Sequence, residues 1–199
     1  MIVIGLTGGI ASGKSTVSNR LKTYYGSQVI DADAIAYEFS HPGRPIWQNF
    51  VARYGKERAL LPDGELNRAA IGQLVFSQPA ERRWVDSMAH PLIQQEIAAR
   101  IERCRAAGEK VIVLDVPLLF ESGWDAMTDA VWVVYVDAAV QLRRLVERNR
   151  MPEALARQRI ASQMPLLEKR QRADVVIDNN GTLAETIRQV DHAWESVAS

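Results

Sequence analysis

Five short runs of the chain are almost continuously apolar: Ile2–Thr7, Gln28–Asp31, Val111–Asp115, Ala130–Val136 and Val175–Ile177. Their Val and Ile residues follow one another without the alternation of a half-exposed strand. Each run therefore reads as a strand covered on both faces. Between the runs, apolar positions recur at three- and four-residue intervals, the period of a helix with one buried stripe. The candidate helices are Thr16–Tyr25, Ala34–Phe39, Ala69–Phe76, Pro79–Ala107, Ala138–Arg150, a stretch from Met151-Pro through Gln163, and Leu183–Val197. Strands that alternate with helices predict an α/β fold around a parallel five-stranded sheet.

Two intervals are longer or more charged than a simple crossover needs. About eighty residues without a convincing strand separate Asp31 from Val111, whereas one helix suffices to cross between parallel strands. Turn signals at His41-Pro-Gly-Arg-Pro45 and Leu61-Pro-Asp-Gly64 break this stretch, which reads as a helical insertion that grips a substrate. The second interval, Arg143–Arg172, holds nine Lys or Arg (143, 144, 148, 150, 157, 159, 169, 170, 172) against three acids (Glu147, Glu153, Glu168). The expected division is a core of 1–33, 108–142 and 173–199, an insertion of 34–107 and a basic lid of 143–172.

Composition narrows the class. The chain has 199 residues, 47% hydrophobic and 24% charged, so it carries material for a full core and is not disordered. Lys+Arg and Asp+Glu are equal at 24 each, which argues against a protein built to coat nucleic acid. Cys104 is the single cysteine, so an intramolecular disulfide is impossible and a cysteine metal site is not expected. No apolar run approaches the roughly 18–20 residues that a membrane crossing needs. The opening Met1-Ile-Val-Ile-Gly-Leu6 lacks a basic leader and reads as a core strand, not a signal peptide. The expectation is a soluble cytoplasmic protein, monomeric or weakly self-associating, with small-molecule substrates and neither nucleic-acid nor membrane partners.

The chemistry begins directly after the first strand. Gly8-Gly-Ile-Ala-Ser-Gly-Lys-Ser15 fits G-x-x-x-x-G-K-[ST] at Gly8, Gly13, Lys14 and Ser15, between a buried strand and a helical run. The glycines let successive N–H groups converge into an anion nest, and the following helix adds its positive end. Lys14 is placed to reach the β- and γ-phosphates, and the Ser15 hydroxyl to ligate Mg²⁺. A Gly-rich turn with a chance Gly-Lys-Ser is the plain alternative. Such loops serve switches, motors and kinases alike.

Carboxylates close two other strands. Val29-Ile-Asp31-Ala-Asp33 ends the second and Val113-Leu-Asp115 the third. In a parallel sheet these ends share one edge with the loop. Asp33, at the mouth of the insertion, suits a role beside the acceptor hydroxyl, and Asp115 a role beside Mg²⁺ or a water. Helix capping is the alternative for Asp31 and Asp33, and an ordinary strand-end turn for Asp115. Arg143, Arg144, Arg148 and Arg150 offer guanidinium forks for phosphate oxygens, unless they are simply a solvated helix face. His90-Pro91 lies within the insertion, where a lone His is more often structural. Cys104 and the Trp residues 47, 84, 124, 132 and 194 read as packing. Asp178-Asn-Asn-Gly181 is a polar turn after the last strand, or a border of an adenine.

Taken together, these segments resemble the dephospho-CoA kinase family along the whole chain. The matching pieces are Leu6–Thr16, Val29–Asp33, Asp63-Gly-Glu-Leu-Asn-Arg68, His90-Pro-Leu-Ile93, Asp115-Val-Pro-Leu-Leu-Phe-Glu121, Gln141-Leu-Arg-Arg-Leu145, Arg159-Ile-Ala-Ser-Gln163 and Ala173–Gly181. Asp-Ala-Asp, His-Pro and Pro-Leu-Leu-Phe-Glu at these intervals set this family apart from other P-loop kinases. The resemblance implies a three-layer P-loop kinase fold with a nucleotide core, a helical CoA domain and a lid. It implies transfer of the ATP γ-phosphoryl group to the ribose 3′-hydroxyl of dephospho-CoA, with Mg²⁺ at Ser15 and Asp115. Gly8, Gly9, Ala11, Ser12, Gly13, Lys14, Ser15, Thr16, Asn179 and Gly181 would then contact the nucleotide. Asp33, Arg68 and His90 would face the acceptor, and Lys14, Asp33, Arg143 and Arg148 would carry the catalysis. Ala11 stands where the family more often has glycine; being small, alanine is tolerable there provided that the position does not need a positive φ.

Two rivals fit less well. Another small-acceptor kinase, such as a nucleoside monophosphate kinase, shares core and lid but leaves Asp-Ala-Asp and Pro-Leu-Leu-Phe-Glu unexplained. A GTP-dependent switch normally carries Asn-Lys-x-Asp to read guanine, and the chain has none.

Overall fold

The computed structural model describes residues 1–198. In chain order the elements are β1 (Ile2–Gly8), α1 (Lys14–Thr23), β2 (Gln28–Asp31), α2 (Ala32–Phe39), α3 (Pro45–Tyr54), α4 (Lys56–Ala59), α5 (Arg68–Ser77) and α6 (Pro79–Ala106). They continue with β3 (Val111–Asp115), a 3₁₀ turn (Trp124–Met127), β4 (Ala130–Tyr135), α7 (Ala138–Asn149), α8 (Glu153–Ala161), α9 (Leu166–Gln171), β5 (Val175–Asp178) and α10 (Leu183–Ala198). The five strands form one parallel sheet in the order β2-β3-β1-β4-β5. The α/β fold around a parallel five-stranded sheet expected from the sequence is the one observed.

The register explains where chemistry gathers. Asp115 pairs across the sheet with Leu6 on one side and Asp31 on the other, so the ends of β1, β2 and β3 lie level. Ile4, Leu6, Val113, Trp132, Val134 and Ile177 pack on Val17 and Leu21 of α1 and on Val190 and Ala193 of α10. On the opposite face, Tyr135 and Val136 pack with Leu166 of α9. Burial on both faces is what the unbroken Val/Ile runs required.

The chain divides into two compact units, one made of Met1–Asp31 and the chain from Ile101 onward, the other of Ala32–Arg100. The lid segment 143–172 lies within the first. The second is all-helical apart from one bridge between Leu60 and Leu66. Its interior includes Ile46, Phe50, Ala59, Leu66 and Ile93. Phe50 and Tyr54 meet the Trp84 ring edge-on at 5.5 and 5.7 Å. No helix among the described residues is long and apolar enough to cross a membrane.

Candidate functional site

The loop between Gly8 and Lys14 closes on itself through Ser12 N–H, which donates to the Gly9 carbonyl at 3.1 Å. Gly13 turns into α1 with φ 93° and ψ 17°. That left-handed conformation suits glycine, and a Cβ there would also collide with the Asn179 amide. No side chain caps α1. Thr16 N–H donates to the Gly13 carbonyl at 3.0 Å, but the N–H groups of Lys14 and Ser15 precede the first intrahelical bond, and the positive end of the dipole lies with them, so the turn suits phosphate. The Ser12 hydroxyl is buried without a hydrogen-bond partner among the described residues.

Ala11 corrects the sequence reading. Its φ is 60°, so the position does use the left-handed region, and the proviso under which alanine was acceptable is not met. A Cβ in this region costs about 1–2 kcal/mol. The small side chain keeps the loop's shape, but under strain.

Lys14 and Asp115 are brought together as the strand ends predicted: the Lys14 ammonium donates to Asp115 Oδ1. The Asp115 side chain is 5% exposed and that of Lys14 17%, so the pair is shielded from water. Ser15, next along α1, is exposed. The hard oxygens of Ser15 and Asp115 fit Mg²⁺, which takes one or two protein oxygens and completes its shell with phosphates and water. Among the described residues no group of three or more His, Cys, Asp or Glu could cage a metal.

The sequence groups Lys169 with the basic lid, and the structure removes it from that surface. It is fully buried. Its ammonium donates to the Pro117 carbonyl at 2.7 Å and to Glu121 Oε2 at 2.9 Å. Burial pushes its pKa down, and the neighbouring Arg172 and Lys14 charges act in the same direction, while Glu121 opposes them. The remaining lid residues differ among themselves. Arg143 is exposed and lines a groove of about 570 Å³ between α7 and α8, with Leu142, Val146, Glu153 and Arg157. Arg148 Nε donates to Asn149 Oδ1 at 2.8 Å. Neither arginine is paired with Asp115 among the described residues.

Three amide side chains grip the loop from outside. Asn179 Nδ2 donates to the Ser12 carbonyl at 2.8 Å, while its Oδ1 accepts from Thr186 Oγ1 at 2.8 Å. Gln141 Nε2 donates to the Ile10 carbonyl at 2.9 Å, and Gln163 Oε1 accepts the Ile10 N–H at 2.8 Å. The sequence reading assigned Asn179 to the nucleotide and gave no role to either glutamine. One signal was available: Gln141 shares the buried stripe of α7 with Leu145, and a polar residue on an apolar face needs a partner. Gly181 is exposed at the rim of a groove with Asp178, Glu185 and Arg188.

The residues expected on the acceptor side belong to the second unit. Asp33 is exposed in the first turn of α2, so it is not that helix's cap. Arg68 opens α5 after the Asn67 cap, donates to Ser40 Oγ at 2.6 Å and lies 4.5 Å from the centre of the Tyr37 ring. His41 meets the same ring edge-on at 4.7 Å. His90 lies on α6, its Nε2 3.9 Å from Asp86 Oδ1.

Known proteins with this arrangement agree with one another. The family model described as dephospho-CoA kinase matches residues 2–185. A dephospho-CoA kinase of Symbiobacterium thermophilum is 48% identical over 98% of this chain and 81% of its own length. One of Geobacillus kaustophilus is 49% identical over 95% of this chain and 93% of its own. The crystal structure of TT1252 from Thermus thermophilus superimposes with a TM-score of 0.83 at 31% identity, covering 100% of this chain and 98% of that one.

Proposed function

The chain belongs to the dephospho-CoA kinase family, and from that premise we propose how its residues share the work. The enzyme is an ATP-dependent kinase that moves the γ-phosphoryl group of ATP to the ribose 3′-hydroxyl of dephospho-CoA, giving CoA and ADP. The loop from Gly8 to Thr16, with Gly9, Ala11, Ser12, Gly13, Lys14 and Ser15 between, holds the β- and γ-phosphates. Lys14 has three N–H donors, so it can keep Asp115 while also serving phosphate oxygens. Phosphoryl transfer asks for positioning and for cations around the charge that spreads over the γ-oxygens. Lys14, Arg143 and Arg148 supply these. Ser15 and Asp115 would hold Mg²⁺, which would supply further neutralisation of phosphate charge.

Asp33 takes the proton of the 3′-hydroxyl as that oxygen bonds to the γ-phosphorus and the bond to the ADP oxygen breaks. Its place two residues beyond the end of β2 supports this, as does the exposure of the residue. Arg68 and His90 hold the CoA side. Asn179 and Gly181 border the adenine, the Asn179 side chain meanwhile holding Ser12. The enzyme works in the cytoplasm, as a monomer or weak homo-oligomer.

The observation that carries this reading is the partly buried Lys14–Asp115 pair at the end of the Gly-rich loop. A coupled assay with ATP, Mg²⁺ and dephospho-CoA, with the product identified by mass, tests it. Asp33→Asn is expected to lower kcat about a hundredfold or more, with ATP affinity within about threefold of wild type. Weakened ATP binding with kcat intact would move Asp33 from the acceptor to the metal.

A further inference from the structure

We propose that Gln141 and Gln163 are positioning residues that set the phosphate loop by clamping Ile10 from the two ends of the α7–α8 arm. Both main-chain polar groups of Ile10 are taken by side chains, the N–H by Gln163 and the carbonyl by Gln141. The two amides are used in opposite senses. An N–H can only donate and a carbonyl can only accept, so Gln163 must offer its oxygen and Gln141 its nitrogen. Gly9 makes room for the second bond: a Cβ there would lie 2.7 Å from Gln141 Nε2.

Each clamp residue is itself anchored. Gln141 is buried on α7, two residues before Arg143. Beside Gln163, the Met164 N–H donates to Glu121 Oε1 at 2.9 Å. The other oxygen of Glu121 receives Lys169, whose ammonium also holds the Pro117 carbonyl, where Thr7 Oγ1 donates at 3.0 Å. This links the ends of β1 and β3 to the root of the arm. The arm carrying Arg143 and Arg148 therefore cannot shift its roots without pulling on the residue next to strained Ala11. Arm position and phosphate-cradle shape become one variable. This also accounts for Gln141, Gln163 and Glu121, which the division of catalytic work leaves unused.

The inference rests on the loop being the ATP cradle. Its test avoids the acceptor, so that it fails separately from the choice of dephospho-CoA. Full-length wild type, Gln163→Leu, Gln163→Glu and Gln141→Leu are compared by NMR hydrogen exchange at the Ile10 amide and by calorimetric titration with Mg-ATP. Gln163→Leu should speed exchange at Ile10 about tenfold, because a donor loses its acceptor. Gln163→Glu keeps an acceptor and should restore protection to within about twofold of wild type. Gln141→Leu should leave the Ile10 amide protected, yet weaken ATP about tenfold, as Gln163→Leu does. A packing role would not separate leucine from glutamate in this way. Unchanged exchange in Gln163→Leu, or faster exchange with ATP affinity unchanged in both leucine variants, would overturn the proposal.

Discussion

Ala11 sits in the phosphate loop at φ 60°, where a β-carbon crowds the neighbouring carbonyl. Replacing it with glycine removes a cost of about 1–2 kcal/mol. The more flexible unfolded chain returns about 0.5–1 kcal/mol. Ala11→Gly is therefore expected to stabilise the protein by up to about 1.5 kcal/mol, read as a higher midpoint in urea unfolding with an unchanged slope. A lower midpoint would mean that the methyl makes contacts worth more than the strain. The residues of the loop were legible in the sequence because phosphate binding demands those types at that spacing. The φ of Ala11 was not, because it follows from how the turn closes between β1 and α1. Nor was the grip of Asn179 on Ser12, since 167 positions separate them. Lys169 misled by type: lysine is almost never fully buried unless paired, and its partners Pro117 and Glu121 belong to a distant motif.

Among the elements, α1 and α10 are tied by more than their apolar stripes. Arg20 donates to both carboxylate oxygens of Asp191, at 3.0 and 2.8 Å, and Tyr25 OH donates to Oδ1 at 2.9 Å. The Arg20 hydrogen bonds hold the Asp191 carboxyl below its usual range, with Tyr25 helping and burial opposing. Burial, then the bond to Asp191, pushes the Tyr25 hydroxyl up to about 12. The signs differ. Asp191 contributes stability that is present above its unfolded pKa of about 3.9 and lost as pH falls through the depressed folded value. Tyr25 contributes stability that is present below its unfolded pKa of about 10 and lost as pH rises toward the folded one. Asp191→Asn should lower stability by about 1–2 kcal/mol at neutral pH, with the gap to wild type narrowing as the solution is acidified. An ultraviolet titration should show the Tyr25 phenol ionising earlier in the variant. A gap that stays constant into acid would remove the carboxylate from the account. Elements like these were readable where one face is buried. All five strands were placed to within about two residues, since an unbroken Val/Ile run leaves little choice. Helix ends were less so: α8 stops at Ala161, short of the expected Gln163, whose side chain is committed to Ile10.

Over the whole molecule, the balanced net charge conceals a division of labour. The phosphate loop, Lys14, Asp115 and the arm arginines all belong to the first unit, while Asp33, Arg68 and His90 belong to the helical second unit. The sequence showed this division as an eighty-residue gap without a strand. The expected insertion is 34–107 and the compact unit is Ala32–Arg100; the ends differ most where α6 continues from Pro79 to Ala106 without a break, because a periodic helix carries no mark of where one unit ends. If the first unit holds ATP and the second receives dephospho-CoA, each ligand alone should leave its own footprint in hydrogen exchange. Mg-ATP should slow exchange across Gly8–Thr16, where N–H groups of the loop and the first turn gain acceptors. Dephospho-CoA should slow exchange within Ala32–Arg100, most around Tyr37, Ser40 and Arg68, whose stacked guanidinium and ring offer a surface for an anionic, aromatic ligand. Protection by dephospho-CoA confined to Gly8–Thr16 would place both substrates on the first unit and leave the helical insertion without its assigned ligand.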